Sequence, residues 1–305
     1  MIPLLGEGGS KVGWRRALCQ PRPASPSMSG ARDSTEPMDK PPVIELREVS
    51  LGFEGKQVLS GISFRVDPGE TLFLLGESGT GKSVLLKLIL GLLKPDSGQV
   101  LVQGRDLTPL PEDDLDEIRR PMGIVFQEGA LFDSLSVYEN VAYRLREEGF
   151  VQEDQIEQRV REVLRFVELE EAIDKMPSQL SGGMRRRVAI ARAMISQPEI
   201  MLYDSPTAGL DPVTGNTITT QIAKMRDVQH VTSLVVTQRL QDAYVLANYY
   251  YLEQKTALVP FASLNSSVPM PVTRFILLRS GGVYFQGTAH DLATAHDRYL
   301  LEFLA

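Results

Sequence analysis

The octapeptide Gly76-Glu77-Ser78-Gly79-Thr80-Gly81-Lys82-Ser83 constrains this chain more than any other stretch, because of its flanks. An apolar run, Thr71-Leu72-Phe73-Leu74-Leu75, precedes it, and Ser83-Val84-Leu85-Leu86-Lys87-Leu88-Ile89-Leu90 follows. The pattern G-x-x-x-x-G-K-[ST] therefore lies between a strand and a helix. Glycines there let backbone N–H groups curl around an anion, and the helix start adds the positive end of its dipole. Lys82 supplies charge for the β- and γ-phosphates of a nucleotide, and the Ser83 hydroxyl suits Mg²⁺. Strand, loop and helix in this order predict an α/β protein with a parallel sheet.

The rest of the chain sets bounds on that core. Of 305 residues, 43% are apolar and 23% charged, the proportions of an ordinary folded protein. A formal net charge of −7 disfavours nucleic acid, which is gripped through a broad basic face. One cysteine, Cys19, and three histidines leave no material for a disulfide framework or a cysteine-rich metal site, and a cytosolic address fits that usage. No stretch approaches the roughly 20 apolar residues of a spanning helix. Work at a membrane is therefore expected of a peripheral subunit.

Residues 1–40, rich in Gly, Pro, Ser and Arg without apolar periodicity, are expected to form a disordered leader. Order is expected from Pro42, with strands over 43–53, 57–66 and 71–75 and a helix over 82–93. A strand pair at 99–102 and 122–126 brackets a short acidic helix over 112–119. Residues 136–192 read as mostly helical, with Ile156, Val160, Val163, Leu164 and Val167 at helical spacing. Strands return at 200–203 and 233–237. Residues 253–273 read as a surface excursion before a hairpin over 275–278 and 283–286, and 293–305 as a C-terminal helix.

Two further motifs share the phosphate-loop context. Ile200-Met201-Leu202-Tyr203-Asp204 is an apolar strand ending in a carboxylate, placed to hold Mg²⁺ through water. Between it and the loop lies Leu180-Ser181-Gly182-Gly183-Met184, where a hydroxyl and backbone N–H groups at a helix start face an anion.

In this order the motifs resemble those of the ATP-binding-cassette (ABC) ATPases, over roughly residues 43–292. The resemblance implies a P-loop NTPase fold: a RecA-like parallel core, an antiparallel β subdomain and a helical subdomain at about 130–190. It implies ATP with Mg²⁺ held by Gly76, Glu77, Ser78, Gly79, Thr80, Gly81, Lys82, Ser83 and Val84, with Phe53 stacked on adenine. Phe126-Gln127 looks like the Q-loop, with Gln127 a Mg²⁺ ligand beside Ser83 and Asp204. Gly209-Leu210-Asp211 looks like the D-loop of a dimer interface. Ser181, Gly182 and Gly183 look like the signature that grips the γ-phosphate of a second ATPase subunit.

Two positions depart from the family. Ser205 stands where a Glu polarises the attacking water, and Gln238 where a histidine contacts the γ-phosphate. A serine hydroxyl is no base near neutral pH, and a missing positioned base costs about 10²–10⁴ in rate. The signature is intact. The chain therefore fits either a slow homodimer or a heterodimer whose partner's site it completes.

The segment from Gln127 to Ala142, QEGALFDSLSVYENVA, resembles the Mla and Mce-associated lipid-transport ATPases. That resemblance implies phospholipid or lipid transport through a membrane permease at the cytoplasmic face of the inner membrane, with a lipid-binding Mce-type protein as a further partner. The alternatives are an ATP-binding regulatory subunit with little hydrolysis and a non-transport ABC ATPase. Arg185–Arg187 read equally as a solvated helix face or a partner contact.

Overall fold

Two sheets of opposite character organise the chain. The computed structural model describes residues 41–264 and 270–303. The expected leader lies outside the described residues, as do 265–269 of the excursion and the last two residues of the C-terminal segment.

β1 (Ile44–Phe53) and β2 (Lys56–Val66) form an antiparallel hairpin, and alternation of apolar and polar residues buries one face of each. The turn Asp67-Pro68-Gly69 then feeds β3 (Thr71–Leu75), buried throughout, and the phosphate loop leads into α1 (Lys82–Ile89). This helix stops four residues earlier than expected, because Gly91 enters the left-handed region at φ 68°. β4 (Ser97–Val102) pairs with β1, and the short β5 (Arg105–Asp106) pairs with β4, closing an antiparallel sheet of order β2-β1-β4-β5. After α2 (Glu112–Arg119), β6 (Met122–Val125) begins the other sheet. The two strands expected as a pair thus belong to different sheets.

The helical segment contains α3 (Val137–Glu148), α4 (Glu153–Phe166) and α5 (Gly182–Met194). A capping box starts α3: the Ser136 hydroxyl accepts the Glu139 N–H while the Glu139 carboxylate accepts the Ser136 N–H. β7 (Ile200–Asp204), α6 (Pro212–Gln229), β8 (Thr232–Val236) and α7 (Leu240–Asn248) return the chain to the core.

β9 (Tyr249–Leu252) and β10 (Ala257–Pro260) make a separate antiparallel ribbon inside the expected excursion. What anchors it is a buried ion pair that sequence order hides. Arg226 Nη2 donates to the Tyr249 carbonyl at 2.7 Å, and the Tyr251 N–H donates to Asp227 Oδ2 at 2.7 Å. The guanidinium and carboxylate bond each other as well. The pair thus occupies the edge of β9 as a neighbouring strand would. β11 (Thr273–Arg279) and β12 (Gly282–Thr288) then complete a six-stranded sheet of order β12-β11-β3-β8-β7-β6, parallel except at β12. The helix expected over 293–305 is interrupted: it takes in the end of α8 (Ala289–Thr294) and then α9 (Arg298–Phe303). Asp297 breaks the run by accepting the Leu300 N–H at 3.0 Å, which makes it a cap.

The large sheet divides two cores. Phe73, Leu75, Met201, Tyr203, Val235, Phe275 and Leu277 face the helices α3 to α8, while Leu72, Leu74, Ile200, Leu202, Leu234, Val236, Ile276 and Leu278 face α1 and the antiparallel sheet. Successive side chains on a strand point to opposite faces, so continuous apolar runs are required for both layers at once.

Candidate functional site

The carboxyl ends of β3, β8, β7 and β6 lie side by side, and each delivers one of the expected residues. β3 pairs with β8 and β8 with β7, Leu74 and Asp204 both lying opposite Val236, and β7 pairs with β6 through Tyr203 and Val125. Lys82 follows β3, Gln238 follows β8, Asp204 ends β7 and Gln127 follows β6.

The loop after β3 is built from backbone. Gly76 adopts φ 148°, and a Cβ there would lie 2.8 Å from the Leu278 carbonyl oxygen and from Thr80 Oγ1, so no larger residue fits. Lys82 is buried and its ammonium donates to the carbonyls of Gly76 at 2.8 Å and Glu77 at 2.6 Å. Burial lowers its pKa, opposed by the nearby carboxylates of Asp204 and Glu77. The exposed parts of the loop are Glu77, Ser78 and Gly79, with Thr80 half-buried and Ser83 exposed in the first turn of α1. Val84 is half-buried, its side chain packed against the core. Phe53 stands exposed at the tip of the β1–β2 hairpin, and Val58 and Leu59 of β2 abut Gly81.

The rest of the site is built from side chains. Ser205 is held at φ 48° while its N–H donates to the Val236 carbonyl at 2.8 Å, and its hydroxyl lies 3.4 Å from Asp204 Oδ1. Gln238 and Gln127 are exposed. Behind them runs a buried polar chain. Asp242 Oδ2 accepts the Thr207 hydroxyl, its Oδ1 accepts Thr219 Oγ1 at 3.4 Å, and Arg239 Nη1 donates to the Thr207 carbonyl at 3.1 Å. Burial pushes the Asp242 pKa up against the bonds and the Arg239 charge that favour its ionised form.

Ser181 caps α5, its Oγ accepting the Met184 N–H at 3.2 Å. The structure sets this helix start beside Leu210 and Thr214. A Cβ on Gly183 would collide with the Thr214 methyl, whereas one on Gly182 would meet Leu210 at 3.6 Å. Of the arginines expected to form a solvated face or a partner contact, two are drawn into the fold. Arg186 is buried and donates to the carbonyls of Pro206 at 2.5 Å and Ala208 at 2.8 Å, tying α5 to the loop after Asp204. Arg187 reaches the Val167 and Glu168 carbonyls. Only Arg185 stays exposed, lining a 640 Å³ cleft with Gln127, Glu128, Gly182, Ala208 and Gly209.

The donor set suits a hard cation shared with phosphate. Among the described residues there is no cluster of three or more His, Cys, Asp or Glu able to cage a metal. Asp204, Ser83 and Gln127 offer one carboxylate, one hydroxyl and one amide. That is an all-oxygen set fit for Mg²⁺, which keeps several waters and takes its remaining oxygens from substrate phosphates.

Residues 59–208 match the family model described as ABC transporter. The chain is 35% identical over 253 residues to the intermembrane phospholipid transport system ATP-binding protein MlaF of Haemophilus influenzae, covering 82% of this chain and 96% of that protein. The chain belongs to the ABC transporter family. It is also 36% identical over 277 residues to the chloroplast protein TRIGALACTOSYLDIACYLGLYCEROL 3 of Arabidopsis thaliana, covering 87% and 74%. A dimeric post-hydrolysis ATP-binding cassette bound to ADP and Pi superposes with a TM-score of 0.68 at 30% identity, covering 81% and 98%. Other relatives of this ABC chain are named as import ATP-binding proteins, for sulfate/thiosulfate in Methylococcus capsulatus and for spermidine/putrescine in Photobacterium profundum. Among the described residues no helix is long and apolar enough to cross a membrane. The strand-end placement of the motif residues was legible beforehand. The supports contributed by Arg186, Arg239 and Asp242 were not, because each acts across 20 or more residues of sequence.

Proposed function

We propose that this chain is the ATP-binding subunit of an ABC transporter for phospholipid or a related lipid, working on a membrane permease from the cytoplasmic face of the inner membrane. The observation that carries the nucleotide reading is the convergence of Lys82, Asp204, Gln127 and Gln238 on four adjoining strand ends. In this reading Gly76 to Val84 cradle the triphosphate and Lys82 neutralises it. Phe53 stacks on adenine. Ser83, Gln127 and Asp204 hold Mg²⁺, which supplies charge to the phosphates. Ser181, Gly182 and Gly183 serve the site of a second ATPase subunit across a dimer.

The lipid assignment is supported by the relative named for phospholipid transport, matched over nearly its full length, and by the segment Gln127–Ala142. A lipid-binding Mce-type protein is the further partner this implies. Co-reconstitution with a permease in proteoliposomes tests it. ATP-dependent movement of labelled phospholipid is expected, and movement of sulfate or spermidine instead overturns it.

A second reading follows from Ser205 and Gln238, which supply neither a base nor a charge. Here the chain hydrolyses ATP slowly or not at all at its own site and completes the site of a different ATPase subunit through its signature. Mixing with candidate partner ATPases should raise activity; no increase with any of them favours the slow homodimer.

A further inference from the structure

The C-terminal helix reaches the phosphate loop. α9 is docked rather than pendant: Leu300 is buried in the core and Phe303 packs against it. At its start Asp297 Oδ1 accepts the Leu300 N–H at 3.0 Å and the Tyr284 hydroxyl at 2.8 Å. Between these anchors Tyr299 lies in a fixed setting. Its ring meets Tyr284 edge-on at 5.0 Å, and the Arg279 guanidinium sits 3.9 Å from its ring centre. So held, the Tyr299 hydroxyl donates to Glu77 Oε1 at 3.3 Å.

Glu77 is the second residue of the loop, and it faces two ways. Its carbonyl accepts the Lys82 ammonium at 2.6 Å and the Thr80 hydroxyl at 2.9 Å, inside the loop. Its carboxylate, on the exposed side, goes to α9. A carboxylate so close to an anion site works against binding by like-charge repulsion unless it is turned away and partnered. Arg279, stacked on the same tyrosine, adds positive charge on that outer side.

We propose that Tyr299 is a positioning residue for the phosphate loop: its hydroxyl holds the Glu77 carboxylate outward, away from bound phosphates, so that docking of α9 sets nucleotide affinity. The inference rests on the nucleotide reading above and adds a control to it. Because coupling is reciprocal, nucleotide in the loop also strengthens the docking of the C-terminal helix.

The test is equilibrium binding of MgATP, MgADP and adenosine to the full chain. It compares wild type with Tyr299→Phe, Glu77→Gln and the double variant, with Lys82→Ala as reference. Tyr299→Phe keeps the ring and its packing and removes only the hydroxyl. It is expected to weaken MgATP by about three- to tenfold, the range of one modest hydrogen bond, and to leave adenosine unchanged. In the Glu77→Gln background the same change should have no further effect, since no charge remains to be aimed.

Equal affinity of Tyr299→Phe and wild type for MgATP overturns the proposal. So does an equal loss for adenosine, or an equal loss in the Glu77→Gln background, either of which marks a merely structural helix. If wild type itself binds MgATP no better than Lys82→Ala, the nucleotide reading fails and the proposal with it.

Discussion

The phosphate loop and the loops after β7 and β8 stand side by side at one end of the large sheet but are built from different materials. After β3 the working surface is backbone: Gly76 is fixed by close approach to Leu278, and Lys82 is buried against carbonyls. After β7 and β8 the surface is side chain, with Ser205 and Gln238 at its front. Yet the scaffold behind those two residues is intact. Ser205 keeps a left-handed backbone secured by the Val236 carbonyl, and Arg239, Asp242 and Thr207 interlock beneath it. Binding made from backbone depends on a few glycines and the chain's path. Chemistry made from side chains is altered by single substitutions that leave the fold in place.

The comparison is tested most severely by giving the second region the groups it lacks. Ser205→Glu with Gln238→His should raise single-turnover ATP hydrolysis by about 10²–10⁴ over wild type. A wild type that already turns over at an ordinary rate breaks the comparison, because another group must then orient the water. On the loop side, Lys82→Ala should weaken MgATP by about 10- to 100-fold, the worth of hydrogen bonds to a charged group, measured by calorimetry.

The start of α5 offers a sharper contrast between neighbours. Gly183→Ala should destabilise the chain by about 1–3 kcal/mol through overpacking against Thr214, while Gly182→Ala should be close to neutral. Adding Thr214→Ser, which removes the obstructing methyl, should restore the urea midpoint. If it does not, the close packing of α5 on α6 is not what fixes that glycine.

The smallest effect concerns pH. Asp242 has a pKa above its ordinary 3.8, chiefly because burial disfavours the charge. The native state therefore binds this proton more tightly than the unfolded one. Its contribution is fully present below the unfolded pKa and declines as pH rises through the raised folded value. Asp242→Asn should flatten that component of a stability profile taken from acid to neutral pH. A profile that keeps its slope assigns the titration to another group.

The first strands, α2 and most of the large sheet were readable because hydrophobic period and turn residues are local signals. The anchored ribbon β9–β10 was not. Its outer edge is satisfied by Arg226 and Asp227, adjacent residues on α6 about 23 positions upstream, and no pattern within 249–260 points to them. The break between α8 and α9 was missed for a different reason, since its signal is local: Asp297 caps a residue only three positions on. A single Asp side chain as cap outweighs an otherwise helical composition.

By itself the sequence determined the order of the parts: strand, phosphate loop and helix, then the signature helix start, then a strand ending in Asp204. Backbone-binding motifs are contiguous, so their chemistry is written in neighbouring residues. Only the tertiary structure decided which strands share a sheet, how Arg186 ties α5 to the loop after Asp204, and that Tyr299 stands beside Glu77, 222 positions away. Those contacts depend on how layers stack about two cores. Stacking is a property of the whole chain's burial rather than of any local run of residues.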